Sequence, residues 1–148
     1  MNTVAWVNES IFAAGGEHIP KTWGEFAEMT GITAIIHLAQ GTPSRFEGPE
    51  PPRFLWLQAT EEEQANLQMR FQAGMFVQEC IQEGRKTLLH CTISRHRTRW
   101  VYVAYGLVDG RKLSTVLREA AERPWLAPYR TDEAKWQEFV TWLQNSKP

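Results

Sequence analysis

Residues 86–100 read Lys86-Thr87-Leu88-Leu89-His90-Cys91-Thr92-Ile93-Ser94-Arg95-His96-Arg97-Thr98-Arg99-Trp100. The first five, KTLLH, are a short run of strand length. From Arg97 to Val108 the pattern turns helical, carrying Trp100, Val101, Val103, Ala104 and Leu107. A buried strand therefore ends at His90-Cys91, five residues intervene, and Arg97-Thr98 open an amphipathic helix. A loop folded at a helix N-terminus turns backbone N–H groups inward, and the helix dipole adds positive potential there. An anion the size of phosphate is the natural guest. A cysteine at the base of such a loop has its thiolate stabilised by those N–H dipoles and by Arg97. The planar guanidinium of Arg97 suits bidentate contact with phosphate oxygens. A thiolate, an N–H cradle and a fixed cation are the parts that in-line phosphoryl transfer to sulfur needs. Arg95, Arg97 and Arg99 crowd a helix start, where the dipole disfavours cations, and a bound anion would resolve that conflict.

Outward from this stretch, Val4–Val7 and Ile11–Ala14 flank Asn8-Glu9-Ser10 and predict two short strands around a turn. Thr22-Trp23-Gly24-Glu25 has capping-box spacing. The short helix it opens should bury Trp23, Phe26 and Ala27 and stop at Gly31. Ile32–Leu38 is a β-branched apolar run that predicts a central strand. Residues 40–53 hold four prolines and two glycines and must be loop, of the kind that binds or stays disordered. Phe54–Leu57 resumes as strand. Glu61–Glu83 reads as helix, with Met69, Ala73, Phe76, Val77 and Cys80 on one face. Further helices are predicted from Leu113 to Glu122 and from Asp132 to Gln144, the last burying Trp136, Phe139, Val140 and Leu143. The seven tryptophans should be mostly core. Early strands, a strand–helix–strand crossover and a helical end predict an α/β domain with a small central sheet.

At 148 residues the chain suits one domain, residues 1–148. Hydrophobic residues at 43% and charged residues at 22% argue against disorder. A net charge of −1 disfavours general nucleic-acid or membrane-surface binding. No apolar run approaches the ~20 residues of a membrane span, and no secretory signal is visible. Two cysteines make no disulfide framework. A soluble, cytoplasmic, monomeric protein is the expectation.

The motif His90-Cys91-x5-Arg97-Thr98 resembles the signature of the cysteine-dependent protein tyrosine phosphatases, and the small size is similar to the dual-specificity class. The likeness runs along nearly the whole chain. Gly31-Ile32-Thr33-Ala34-Ile35-Ile36 resembles the family's gly-ile-thr-x-val strand, and Phe54-Leu55-Trp56-Leu57 the strand before its general-acid loop. Arg123-Pro124-Trp125-Leu126-Ala127-Pro128 is similar to its arg-pro segment. The resemblance implies a three-layer α/β/α domain whose mixed sheet has about four or five strands. It implies phosphate-monoester hydrolysis through a cysteinyl-phosphate, without cofactor or metal, on phosphotyrosine or phosphoserine/threonine proteins or a small phosphomonoester. Cys91 would be the nucleophile, Arg97 would hold the phosphoryl group, and Thr98 would help the thiolate leave. His90 matches the histidine that supports the low pKa of the cysteine. The backbone of Thr92, Ile93, Ser94, Arg95, His96 and Arg97 would form the cradle.

Two positions depart from the family pattern. Ser94 stands where the family has glycine, which predicts strain or a reshaped loop. No aspartate precedes Asp109, so the general acid falls to Glu61, with Glu62 and Glu63 as alternatives because spacing leaves the register open. Thr60-x-x-Glu63 is also a capping-box pattern, so an acidic first turn is the competing reading of these glutamates. Cys80 lies on the apolar stripe and reads as core rather than as a redox partner of Cys91. His18 and His37 read as structural, and His96 as lying within the cup. A zinc site from His90, Cys91, His96 and Cys80 suits tetrahedral geometry poorly. Loop 40–53 should border the site entrance. The rival readings are a phosphate-binding module without efficient turnover and, more distantly, a rhodanese-like sulfur transferase.

Overall fold

The early turn is closed by Asn8, whose Oδ1 accepts from the N–H of Ser10 at 2.8 Å, and it joins β1 (Ala5–Trp6) antiparallel to β2 (Ile11–Gly15). The structure is a computed structural model that describes residues 4–16, 22–41, 46–123 and 131–145. Helix α1 (Trp23–Thr30) ends at Gly31 as predicted, but the Thr22 hydroxyl makes no capping hydrogen bond. Then come β3 (Ile32–Leu38), β4 (Arg53–Leu57) and a 3-10 turn at Glu62–Gln64. Helix α2 (Leu67–Gln82) is capped by Asn66, whose side chain accepts from the N–H of Met69. The sequence pattern merged this turn and helix into one. Ala65, in extended conformation, separates them. Strand β5 (Lys86–Cys91) leads into a second 3-10 turn, Arg95–Thr98, and then α3 (Arg99–Val108), α4 (Leu113–Ala121) and α5 (Glu133–Asn145).

Among the described residues, five strands form one mixed sheet in the order β1-β2-β5-β3-β4, with only β1 antiparallel to its neighbour. β3 is interior, as its β-branched, largely apolar run predicts, and β5 holds the middle. Alternation along each strand sends successive side chains to opposite faces. Ala13, Ile36, Leu38, Leu89 and Cys91 join a core with α2, α3, α4 and α5. Ala14, Ile35 and Leu88 face Trp23 and Phe46 on the α1 side. The result is the expected three-layer α/β/α domain, with α1 covering one face and α2, α3, α4 and α5 the other.

The predicted stripe of α2 holds: Ala73, Phe76, Val77 and Cys80 are buried, with Met69 packed at the margin. Among the tryptophans, Trp23, Trp100 and Trp136 are core, but Trp6 is 54% exposed, because β1 is a two-residue edge strand. Among the described residues no helix is long and apolar enough to cross a membrane.

Candidate active site

Cys91 is the last residue of the central strand, and its side chain is fully buried on the four-helix side. Its register partners are Gly15 on one side and Leu38 on the other. The chain leaves the sheet through Thr92–Ser94 and winds into the 3-10 turn before α3 begins at Arg99, two residues later than the pattern placed the helix start. Ser94 is extended (φ −166°, ψ 144°), and no described non-glycine residue has positive φ. The strain expected of a serine at this position is therefore absent. Its hydroxyl instead caps the turn, accepting from the N–H of His96 at 3.2 Å.

The loop differs from the predicted cradle in where its donors point. Thr92 N–H donates to Leu38 O at 3.1 Å, and Arg97 N–H to Ser94 O at 3.1 Å. The N–H groups of Ile93 and Ser94 are aimed at the Cys91 sulfur. Cys91 Sγ lies 3.6 Å from Thr60 O, a contact in which the thiol donates. Burial pushes the Cys91 thiol up, and the Ile93 and Ser94 N–H groups pull it back only in part. The expectation of a low-pKa thiolate is thus reversed in direction, because desolvation outweighs the loop dipoles.

Glu61 sits beside this loop as the cap of the 3-10 turn Glu62–Gln64, in a capping box with Gln64 rather than the Thr60–Glu63 box read from the sequence. Gln64 Oε1 also accepts from Thr60 N–H at 2.9 Å and from Gln40 Nε2 at 3.0 Å. So positioned, the Glu61 carboxylate forms an ion pair with the Arg97 guanidinium, both side chains about one-third exposed. Glu62 lines the same cleft but is engaged differently: it is buried and accepts from Thr131 Oγ1 and Asp132 N–H, each at 3.0 Å. Glu63 is exposed. Glu61, Glu63, Ser94, His96, Arg97 and Asp132 are among the residues that line an open cleft of about 1000 Å³.

Arg70 supports the acid-bearing turn from beneath. It is buried, donates to Ala65 O and Glu62 O at 2.9 Å each, and lies 4.2 Å over the ring of Trp136. Thr98 is buried, and its hydroxyl donates to Arg95 O at 2.6 Å. Cys80 is in the core and burial pushes its thiol up, in keeping with a packing role. Of the 40–53 loop, Gln40 donates to Gln58 O beside the acid segment. Phe46 packs under α1 on the opposite face of the sheet from Cys91, and 42–45 lie outside the described residues. His18 and the 124–128 part of the arg-pro match also lie outside them. Arg123 donates to Val7 O at 2.9 Å, tying α4 to the end of β1.

His90 points to the α1 face, away from Cys91. Its Nε2 is 3.2 Å from Gly16 O and its Nδ1 is 3.0 Å from Nδ1 of His37, the residue beside it in the sheet. The sequence reading treated His37 as merely structural, and only strand register reveals the pairing. Gly15 was also missed. A Cβ there would lie 2.0 Å from Arg95 N and 2.4 Å from Ser94 C. The close approach to the cysteine loop is thus made by a glycine of the neighbouring strand.

No family model and no curated protein matches the sequence significantly. Solved structures do match the fold. A point variant of human DUSP28 aligns over 99% of this chain and 100% of its own, at 18% identity and a TM-score of 0.74. A mouse putative dual specificity phosphatase complexed with zinc tungstate aligns over 96% and 89%, at 20% identity and a TM-score of 0.71. The human tyrosine phosphatase-like serine/threonine/tyrosine-interacting protein aligns over 98% and 97%, at 18% identity and a TM-score of 0.69. The chain has the dual-specificity phosphatase-like fold.

Proposed function

We propose that this chain, as one domain over residues 1–148, is a phosphomonoesterase of the dual-specificity type acting through a cysteinyl-phosphate. The observation that carries the reading is the convergence at one strand end of Cys91, the Ile93 and Ser94 N–H groups, and the Arg97–Glu61 pair. In the first step the Cys91 sulfur, having lost its proton, forms a bond to phosphorus as the bond to the leaving oxygen breaks. Protonated Glu61 gives its proton to that oxygen. Arg97 exchanges its carboxylate partner for the phosphoryl oxygens and balances the charge spread over them. In the second step water attacks phosphorus, Glu61 accepts its proton, and the Cys91 sulfur leaves. The Thr98 hydroxyl, now on Arg95 O, would turn to the departing sulfur. Substrates by this reading are phosphotyrosine or phosphoserine/threonine proteins, or a small phosphomonoester, met in the cytoplasm by a monomer.

A second reading has its own observations: Cys91 is a buried donor to Thr60 O, and the His96 and Arg97 N–H groups are engaged by Ser94. Those features suit a phosphate-binding module that turns over poorly, and one structural neighbour is itself named an interacting protein. The pH profile of aryl-phosphate hydrolysis by wild type, Cys91→Ser and Glu61→Gln separates the two. Turnover abolished by Cys91→Ser supports the phosphatase. No turnover, with tungstate still bound through Arg97, supports the binding module.

A further inference from the structure

His37 and His90 are paired residues of the parallel strands β3 and β5, buried on the sheet face opposite Cys91. Their ring planes lie within 10° of each other, with centroids 4.9 Å apart and the two Nδ1 atoms 3.0 Å apart. Two bare ring nitrogens do not approach this closely without repulsion, and two N–H groups clash. One hydrogen therefore lies between them. On the other side of the His90 ring, Nε2 faces the carbonyl of Gly16 at 3.2 Å. A carbonyl only accepts, so His90 Nε2 carries a hydrogen. When His90 is neutral, the shared hydrogen belongs to His37; when His90 is an imidazolium, it belongs to His90 and His37 accepts. An imidazole partner fits both states without moving either ring.

The connection continues toward the site. Gly16 N–H donates to Cys91 O at 2.9 Å, and the preceding Gly15 lies against the Ser94–Arg95 backbone. Hydrogen bonds thus run from His37 through His90 and Gly16 to the backbone of Cys91, tying β3, β5 and β2 together at the ends that carry the loop.

We propose that His37 is a positioning residue for the cysteine loop: through the shared Nδ1 hydrogen it holds His90 on Gly16, and so fixes the strand ends from which Cys91 is presented. The inference rests on the phosphatase reading for its effect on rate, and on geometry alone for its effect on His90. Two variants test it. His37→Phe keeps an aromatic ring and removes the hydrogen-bonding nitrogen. His37→Asn places an amide near the Nδ1 position, which can donate or accept by flipping. The first readout is the imidazole 15N spectrum of His90. Wild type should show a fixed ring with protonated Nε2, Phe should lose that signature, and Asn should retain it. The second is aryl-phosphate hydrolysis, where Phe should lower kcat/KM about ten- to a hundredfold and Asn should restore it to within a few-fold.

A His90 signature unchanged in His37→Phe, or Asn no better than Phe in a folded protein, overturns the proposal. Wild type without turnover whose His90 signature still follows the Phe and Asn changes overturns the phosphatase reading instead and leaves the positioning role standing.

Discussion

Gly15→Ala should disable the site without touching any of its chemical groups. The added Cβ would lie 2.0 Å from Arg95 N, 2.4 Å from Ser94 C and 2.8 Å from Ser94 Cα. All three are backbone atoms, so no side chain can swing aside. Relief to an ordinary carbon contact of about 3.5 Å requires the loop or β2 to move by about 1.5 Å. β2 is held on both sides, by β1 and by its five-residue register with β5, so most of the shift falls on the loop. A displacement of roughly 1 Å in a catalytic constellation costs on the order of 10²-fold in rate. Overpacking should also destabilise the fold by about 1–3 kcal/mol. The assay is kcat/KM for aryl-phosphate hydrolysis beside urea unfolding, with Gly16→Ala as comparison. Gly16 has φ +64° and nothing within 4 Å of a Cβ, so its alanine variant meets a backbone penalty of about 1 kcal/mol and no clash. A Gly15→Ala protein within twofold of wild type in kcat/KM, or no worse than Gly16→Ala, would refute the reasoning.

Glu61→Gln should have two effects of opposite sign: weaker protonation of a poor alkyl leaving group, by about 10²–10⁴-fold in kcat, and a lower KM, because the carboxylate competing for Arg97 is gone. Equal KM values in steady-state kinetics would remove the ion pair from the account. Because burial pushes the Cys91 thiol up, kcat/KM of Glu61→Gln on an aryl phosphate, where no carboxyl has to stay protonated, should climb with pH through neutrality and on toward the ordinary thiol range. An acid limb complete below pH 6 would contradict this. His37 is held down to about 4 by burial, so the folded state resists its protonation. Its contribution is complete above the unfolded value of about 6.5 and is lost as pH falls toward 4, about 3 kcal/mol in all. Urea unfolding across that window should show this loss in wild type and not in His37→Phe. Arg70→Met removes two charge-assisted hydrogen bonds to buried carbonyls and should cost about 3 kcal/mol of stability in urea.

Much of this was legible in the sequence where a local pattern had one physical meaning. The apolar run of β3, the stripe on α2 and the change of period at His90–Arg97 each fixed an element within a few residues. The strand–loop–helix geometry follows from those elements; the pairing of Glu61 with Arg97 does not, because spacing leaves Glu61, Glu62 and Glu63 as alternatives. What could not be read depends on contacts across the sheet. Register alone puts His37 beside His90 and Gly15 beside Cys91, and neither neighbour is implied by spacing along the chain. The Cys91 thiol was misread for a related reason. The N–H dipoles of its loop are a local feature, whereas the burial that overrides them comes from the core on the four-helix side, with Thr60 O against the sulfur. Ser94 was misjudged because its backbone conformation could not be read from the residue type; it is extended and caps the turn, so no glycine is needed.

The most direct measurement is rapid acid quench of the protein during aryl-phosphate hydrolysis, with mass spectrometry of the peptide that carries Cys91. The account predicts one phosphoryl group on Cys91 in wild type and none, with no turnover, in Cys91→Ser. Hydrolysis that proceeds without phosphocysteine and survives Cys91→Ser would contradict it.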